Sequence, residues 1–137
     1  MSTFIDSCVL IDLIENDATW ADWSQTQLEK AANRGPIIIN VAVYAEIANS
    51  FASESDLESF VRATGLQLKP IPRAAAWLAA KAHQQYRRSK GAKTTTLPDF
   101  FIGAHALSEG LPLLTRDASR FKTYFPNLSI AAPKRTS

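Results

Sequence analysis

The fold class is decided first by residues 3–15, which have the sequence TFIDSCVLIDLIE. Thr3 to Ile5 predicts a short strand, because β-branched and aromatic residues favour extended backbone. Ser7 to Glu15 then predicts a helix, with apolar residues at helical spacing at Val9, Leu10, Leu13 and Ile14. A strand that passes directly into a helix at Asp6 indicates a chain in which strands and helices alternate.

The same alternation continues along the rest of the chain. Further strands are predicted at 36–39, 66–71, 111–115 and 128–131. Helix starts are predicted at Asn16 or Asp17, after Asn40, at Ser55 or Asp56, at Pro72 and at Pro98. Stop signals for these helices lie at Gly35, Gly65, Gly91 and Gly110. Because parallel strands need crossover connections, this order predicts an α/β fold, with a mainly parallel sheet covered by helices on both faces.

Length and composition narrow the class of protein further. A chain of 137 residues, with 46% hydrophobic and 20% charged residues, is expected to form one folded domain over 1–137, with 133–137 as a frayed tail. No apolar run approaches the roughly 20 residues that cross a bilayer, and the start of the chain lacks a secretory signal, so a cytoplasmic protein is expected. Cys8 is the single cysteine, which excludes an internal disulfide and predicts a buried, unreactive thiol.

The small net charge of +2 hides a strong asymmetry along the chain. Residues 1–58 hold ten acids and two bases, whereas residues 59–98 hold eight bases and no acid. A basic segment beside an acidic one suits a protein that attracts a polyanion and also holds cations. A solvated helix face is an equally good explanation of the basic segment.

Four acidic residues stand out by their positions relative to the predicted strands. Open α/β sheets bind ligands beyond the carboxyl ends of their strands. Asp6 directly follows the first strand, and Asp117 follows the strand at 111–115 by one residue. Glu46 lies on an otherwise apolar helix, and Asp99 lies in the first turn of its helix beside two phenylalanines. Such carboxylates predict a site for a hard divalent cation, because like charges share a cleft only when a cation is present.

Each of these residues also has a simpler explanation. Asp6 and Asp99 suit helix N-termini, and Asp117 suits a turn. Asp12 is likewise surrounded by apolar residues, and a side-chain pair is its expected role rather than metal binding. The two histidines, His83 and His105, and the aromatic residues of the helices are expected to pack in the core. Any of those aromatic residues left exposed would indicate a dimer face or a groove for a partner helix.

Four segments together resemble the motifs of PIN-domain ribonucleases, especially the VapC-like toxins of toxin–antitoxin pairs. The segments are Thr3 to Ile11 (TFIDSCVLI), Tyr44 to Ile47 (YAEI), Leu97 to Ala106 (LPDFFIGAHA) and Leu113 to Asp117 (LLTRD) followed by Phe121. They match in order and spacing across positions 3–121. Cys8 is a mild departure, because a polar residue is frequent at that place in the family.

The resemblance implies a PIN-like α/β/α fold and endonucleolytic cleavage of RNA with Mg²⁺ or Mn²⁺. It also implies a homodimer that a small VapB-like antitoxin inhibits. The implied acidic and metal-binding site consists of Asp6, Glu46, Asp99 and Asp117. Ser7 and Thr115 match polar positions that orient these acids, although local capping explains them equally well. The expected RNA contacts are Arg87, Arg88, Lys90, Lys93 and Arg116, of which Arg116 has an ion pair with an acid as its alternative.

Two other functions compete with a nuclease. A nucleic-acid-binding module without catalysis would use the basic segment, but it leaves the four acids unexplained. A Mg²⁺-dependent phosphoacceptor domain would need a lysine near the end of a later strand, and Lys122 is the only candidate.

Overall fold

The computed structural model describes residues 1–89 and 95–133. Strands and helices alternate along most of this part of the chain, as the sequence predicts. The strands are β1 (Thr3–Ile5), β2 (Ile37–Ile39), β3 (Leu66–Leu68), β4 (Leu113–Leu114) and β5 (Ile130–Ala131). The helices are α1 (Ser7–Ile14), α2 (Ala21–Arg34), α3 (Val41–Ala48), α4 (Glu54–Thr64), α5 (Arg73–Ser89), α6 (Leu97–Ser108) and α7 (Ser119–Lys122).

The strands form one five-stranded sheet in the order β3-β2-β1-β4-β5. Every neighbouring pair is parallel, with Phe4 opposite Ile38 on one side and opposite Leu113 on the other. All residues of β1, β2 and β4 are buried, as expected of central strands covered on both faces. The predicted α/β/α class is therefore confirmed, and the carboxyl ends of the strands meet at one edge of the sheet. In the described ranges, helices long and apolar enough to cross a membrane are absent.

The second helix starts several residues after its predicted position, and the fourth, fifth and sixth helices start one residue away from theirs. The second helix begins at Ala21 and not at Asn16 or Asp17, because the Asp17 carboxylate accepts hydrogen bonds from the Thr19 and Trp20 amides and holds a turn there. The fourth helix is capped by Ser53, whose hydroxyl accepts from the Asp56 amide, so it starts before Ser55. In both cases a nearby polar side chain that captures backbone amides decides the start.

Trp77 does not pack in the core as its helical position predicts. Its side chain is 64% exposed, and the ammonium group of Lys81 lies 4.3 Å from the ring centroid. The buried face of α5 is instead made of small residues, Ala75, Ala79 and Ala82. A face of alanines lets α5 pack closely on α6, and Trp77 lies on the other side of the helix.

Some of the predicted features lie outside the described residues. These include the helix end near Gly91, the bases Lys90 and Lys93, and the tail at 134–137. The short helix α7 is an addition to the predicted elements. It directly follows the fourth acidic segment and places Phe121 in the core.

Candidate metal centre

Three of the four predicted acids converge at the carboxyl edge of the sheet. Asp6 leaves the end of β1, Glu46 lies in α3 and Asp99 lies in the first turn of α6. Each offers a carboxylate oxygen, and these three oxygens lie within 4.8 Å of one another. Asp6 and Asp99 are each only 2% exposed, and Glu46 is half-buried. Three distant parts of the sequence thus place negative charge in one small volume.

Asp6 is held by three hydrogen bonds from groups around it. The Ser7 amide donates to Oδ1 at 2.8 Å, which caps the start of α1. The hydroxyl of Thr115, which directly follows the neighbouring strand β4, donates to Oδ2 at 2.8 Å. The Cys8 thiol donates to the same oxygen at 3.3 Å. These bonds together orient the Asp6 carboxylate.

Glu46 is oriented by the hydroxyl of Ser7, which donates to Oε1 at 2.7 Å. Ser7 thereby connects two of the acids, since its amide bonds to Asp6 and its side chain bonds to Glu46. This is the orienting role that the family resemblance implies for Ser7 and Thr115. The local cap at Ser7 is also present, so both explanations hold at once.

Asp99 is fixed by the cap of its own helix. Its Oδ2 accepts from the backbone amide of Thr96 at 2.8 Å and from the Thr96 hydroxyl at 3.1 Å.

The helix that carries Asp99 also contacts the start of α3, where both ends of the Asn40 amide group form hydrogen bonds. Asn40 Oδ1 caps α3, and Asn40 Nδ2 lies 3.1 Å from Nδ1 of the buried His105 in α6. The helices that carry Glu46 and Asp99 are thus joined through one buried side-chain pair.

The electrostatics of the centre favour binding of a cation. Burial raises the pKa of Asp6, and the charge of Asp99 adds to this rise. Burial is likewise the largest cause of the raised pKa of Glu46; the Ser7 hydrogen bond lowers that pKa, the charges of Asp99 and Asp6 raise it, and the charge of Arg120 lowers it. Carboxylates that repel one another in a buried position are stabilised in their ionised forms by a cation. Three carboxylate oxygens are also a donor set that Mg²⁺ and Mn²⁺ prefer, so these residues fit such an ion.

Asp117 lies next to this centre but uses its carboxylate differently. Oδ1 accepts from the Ser119 hydroxyl at 2.6 Å, and Oδ2 accepts from Nε of Arg120 at 2.9 Å. Its backbone amide donates to the hydroxyl of Thr115, the same hydroxyl that bonds to Asp6. The three-acid group therefore does not include Asp117 within the described residues, although Thr115 connects the two.

Arg120 also lies beside the acidic centre, although no sequence pattern pointed to it. Its charge is coupled to Asp99, Asp117 and Asp6, and it lowers the pKa of Glu46. The spacing of three residues between Asp117 and Arg120 is compatible with a contact, because residues at that spacing face each other on a helix. The sequence did not predict α7, because a helix of four residues is too short to show a helical periodicity, so this spacing could not be recognised as a contact.

Asp12 forms the side-chain pair expected of it. Arg116 donates from Nε to Asp12 Oδ2 at 2.9 Å and from Nη2 to Oδ1 at 3.2 Å, and the hydroxyl of Ser24 donates to Oδ2 at 2.8 Å. Of the two roles considered for Arg116, the structure shows the ion pair. Contact of Arg116 with RNA stays a prediction.

Cys8 departs from its expected surroundings. It is half-buried, and its sulfur lies beside the Asp6 carboxylate and 3.5 Å from the hydroxyl of Thr115. Burial and the charge of Asp6 raise the pKa of Cys8 to about 12. The thiol is therefore protonated at neutral pH, as the prediction of an unreactive cysteine requires, and it acts as a hydrogen-bond donor to the site.

Two of the predicted basic contacts lie on the last turn of α5. Arg87 and Arg88 are exposed and line an open groove of about 680 Å³. Lys81, Leu97 and Phe101 also line this groove. The groove thus joins cationic side chains of α5 to the first turns of α6, the helix that carries Asp99.

Comparison with known proteins agrees with this arrangement. The closely similar folds include a chain in the crystal structure of VapBC2 from Rickettsia felis bound to a DNA fragment from their promoter. That chain is 18% identical, with a TM-score of 0.75, and the match covers 98% of this chain and 100% of that one. A chain of VapBC-1 from nontypeable Haemophilus influenzae is 16% identical, with a TM-score of 0.73 and coverage of 96% and 98%. A chain of a toxin–antitoxin complex from Klebsiella pneumoniae is 21% identical, with a TM-score of 0.68 and coverage of 98% and 99%.

At these identities the likeness concerns the fold, and no curated protein matches the sequence. The family model of the PIN domain matches residues 3–125. That range contains all four predicted acids, the strands β1 to β4 and the helices that carry the centre. Over nearly its whole length, the chain belongs to the PIN domain family.

Proposed function

We propose that this PIN domain is the toxin of a toxin–antitoxin pair and acts as a metal-dependent endoribonuclease. The observation that carries the proposal is the convergence of Asp6, Glu46 and Asp99, whose carboxylate oxygens lie within 4.8 Å of one another. PIN domains of VapC toxins are nucleases, and the fold of this chain is theirs. A buried group of three like charges is costly unless it serves to bind a cation.

In this proposal Asp6, Glu46 and Asp99 hold Mg²⁺ or Mn²⁺, with Asp117 as the fourth acid of the site. The ion would supply an activated water and stabilise charge on a phosphodiester. The protein supplies orientation, because Ser7 and Thr115 hold the Glu46 and Asp6 carboxylates in place through hydrogen bonds. Hydrogen bonds of this kind to ligating carboxylates keep them in position and strengthen metal binding.

The substrate chemistry is supported by the charges around the centre. Arg87 and Arg88 are exposed at the end of α5, on a helix whose charged residues are all basic. Lys90 and Lys93 follow in sequence but lie outside the described residues. We propose that these four bases and Arg116 contact RNA phosphates, since cations along a groove follow a nucleic-acid backbone.

The same comparison supports a partner protein. The similar folds belong to VapBC and other toxin–antitoxin complexes, which supports a small VapB-like antitoxin as the inhibitor of this chain. The exposed Trp77 is an aromatic residue of the kind expected on a dimer face or at an antitoxin groove. A homodimer is part of the proposal, and a monomer mass in light scattering would exclude it.

The central test is the change Asp99→Asn, which keeps the shape of the side chain and removes its charge. We expect cleavage of RNA in Mn²⁺ to fall by roughly a hundredfold or more, and EDTA to abolish cleavage by the wild type. Asp56→Asn is a matched control, because Asp56 holds the equivalent position in the first turn of α4 and is exposed. A single-stranded DNA of the same base order tests the preference for RNA.

Two outcomes would reject the nuclease. Cleavage that survives Asp99→Asn or EDTA unchanged would show that the acidic centre is not responsible. Tight RNA binding without any cleavage by the wild type would favour a binding module, and phosphorylation of an aspartate by a phosphodonor would favour a phosphoacceptor domain.

A further inference from the structure

Arg120 is placed to bind a substrate that occupies the acidic centre. It lies on α7, directly after the segment that carries Asp117, and its Nε donates to Asp117 Oδ2 at 2.9 Å. The other oxygen of Asp117 accepts from the Ser119 hydroxyl at 2.6 Å. Both oxygens of Asp117 are thus engaged within its own segment, and neither belongs to the three-acid group of the described residues.

A short chain of bonds fixes this segment relative to the centre. The Asp117 amide donates to the Thr115 hydroxyl at 3.1 Å, and that hydroxyl donates to Asp6 at 2.8 Å. Phe121, next to Arg120, is fully buried and anchors α7 to the core. Arg120 therefore lies on a helix that Phe121 anchors in the core, and its guanidinium is held by Asp117, whose amide is connected to Asp6 through Thr115.

The position of Arg120 affects its own pKa and that of Glu46. Burial lowers the pKa of Arg120, but the charges of Asp99, Asp117 and Asp6 outweigh it, and the net effect is a rise. Arg120 in turn lowers the pKa of Glu46. The guanidinium is thus a cationic neighbour of the acidic centre. Its charge offsets the repulsion that the carboxylates alone would exert on a phosphate.

The rest of the guanidinium is available to a ligand. Among the described residues, the bonds of Arg120 use Nε only, which leaves the donors of both Nη groups free. The side chain is 39% exposed, so a ligand can reach it from solvent. Arginine presents a planar set of donors that matches two oxygens of a phosphate.

We propose that Arg120 is a catalytic residue that binds the scissile phosphate, and that Asp117 positions it. The proposal rests on the nuclease function above, and it assigns Asp117 a role other than that of the fourth metal ligand. In hydrolysis, a water oxygen bonds to phosphorus, one ester P–O bond breaks, and a proton reaches the leaving oxygen. Arg120 donates hydrogen bonds to a non-bridging oxygen throughout and transfers no proton.

The first experiment compares Arg120→Gln and Arg120→Lys with Arg62→Gln, an exposed arginine in the last turn of α4. The probe is a labelled single-stranded RNA pool of randomised sequence, and Mn²⁺ binding is measured separately by electron paramagnetic resonance. We expect Arg120→Gln to lower kcat by roughly a hundredfold, with Mn²⁺ affinity equal to or tighter than that of the wild type. Arg120→Lys should restore part of the rate, and Arg62→Gln should match the wild type.

The second experiment separates the two roles of Asp117. If Asp117 acts through Arg120, Asp117→Ala should lower kcat in the wild type but add little to Arg120→Gln, and Mn²⁺ affinity should not change. If Asp117 is a metal ligand, Asp117→Ala should weaken Mn²⁺ binding in both backgrounds, which would overturn the positioning role. Thermal unfolding of each variant shows whether it is folded.

The outcomes also distinguish this inference from the function on which it rests. A wild type that does not cleave RNA in Mn²⁺ would reject both. A wild type that cleaves, together with an unchanged kcat in Arg120→Gln, would reject only the role of Arg120. Loss of rate accompanied by loss of Mn²⁺ binding in Arg120→Gln would show that the arginine supports the metal centre rather than the phosphate.

Discussion

At the scale of single residues, the acidic centre depends on hydroxyl groups as much as on carboxylates. Ser7 bonds to Glu46 with its side chain and to Asp6 with its amide, while Thr115 reaches Asp6 from β4. An ionised carboxylate without such partners would rotate or take up a proton when buried. The two hydroxyls therefore orient the Glu46 and Asp6 carboxylates.

We therefore expect Ser7→Ala to weaken Mn²⁺ binding by about tenfold, because Glu46 loses the donor that orients it. Mn²⁺ affinity measured by electron paramagnetic resonance checks this. Ser50→Ala is the matched control, since Ser50 also donates its hydroxyl to a glutamate, Glu15, at an exposed position. Equal Mn²⁺ affinities in the two variants would argue against an orienting role for Ser7.

At the scale of elements, the centre is assembled by helix starts. Asp6 caps α1, Asp99 lies in the first turn of α6, and Asn40 caps α3, which carries Glu46 two turns later. In a parallel sheet these helix starts lie near the same edge, because every strand runs in the same direction. At Asp6 and Asp99, local capping and the proposed metal site therefore use the same residues.

We expect Asn40→Ala to destabilise the protein by about 2–3 kcal/mol. The change removes the cap of α3 and leaves Nδ1 of the buried His105 without the Asn40 amide. Urea unfolding measures the effect, with Ser53→Ala as a control that removes an exposed cap of α4. That control should cost about 1 kcal/mol or less. A loss at Asn40 no larger than at Ser53 would show that the contact with His105 contributes little.

At the scale of the whole molecule, the acidic centre links the stability of the fold to the proposed binding of a metal ion. Asp6 and Glu46 have ordinary pKa values of 3.8 and 4.5, and burial raises both in the folded protein. The folded chain therefore binds these protons more tightly than the unfolded chain does. As the pH rises through the raised values, the two carboxyls ionise and the contribution of the centre to stability falls.

We expect Mn²⁺ to stabilise the protein most at neutral pH, because the ion binds the ionised carboxylates. Its contribution should be about 2.7 kcal/mol at a concentration of about one hundred times Kd, and it should shrink as the pH falls through the raised pKa values of Asp6 and Glu46. The difference in Tm between Mn²⁺ and EDTA across a pH series measures this. A difference that is the same at every pH would contradict a metal centre formed by these acids.

Much of the fold was predictable because its signals are local. The apolar run at β2, the cap at Asn40 and the glycine stops at Gly65 and Gly110 each act within a few residues. The shifted starts of α2 and α4 have local causes too. The Asp17 carboxylate accepts from the Trp20 amide, and the Ser53 hydroxyl accepts from the Asp56 amide. The position of Trp77 was not predictable in this way, because its exposure depends on how closely α5 packs on α6.

By itself, the sequence determined the alternation of strands and helices and singled out a small set of acids, at strand ends and on apolar helices. Tertiary structure alone decided which of them meet: Asp6, Glu46 and Asp99 converge, while Asp117 pairs with Arg120 and Asp12 pairs with Arg116. The reason is physical. Helix and strand signals act over a few residues, whereas a carboxylate selects its partner by distance and burial, which exist only once the sheet has brought remote segments together.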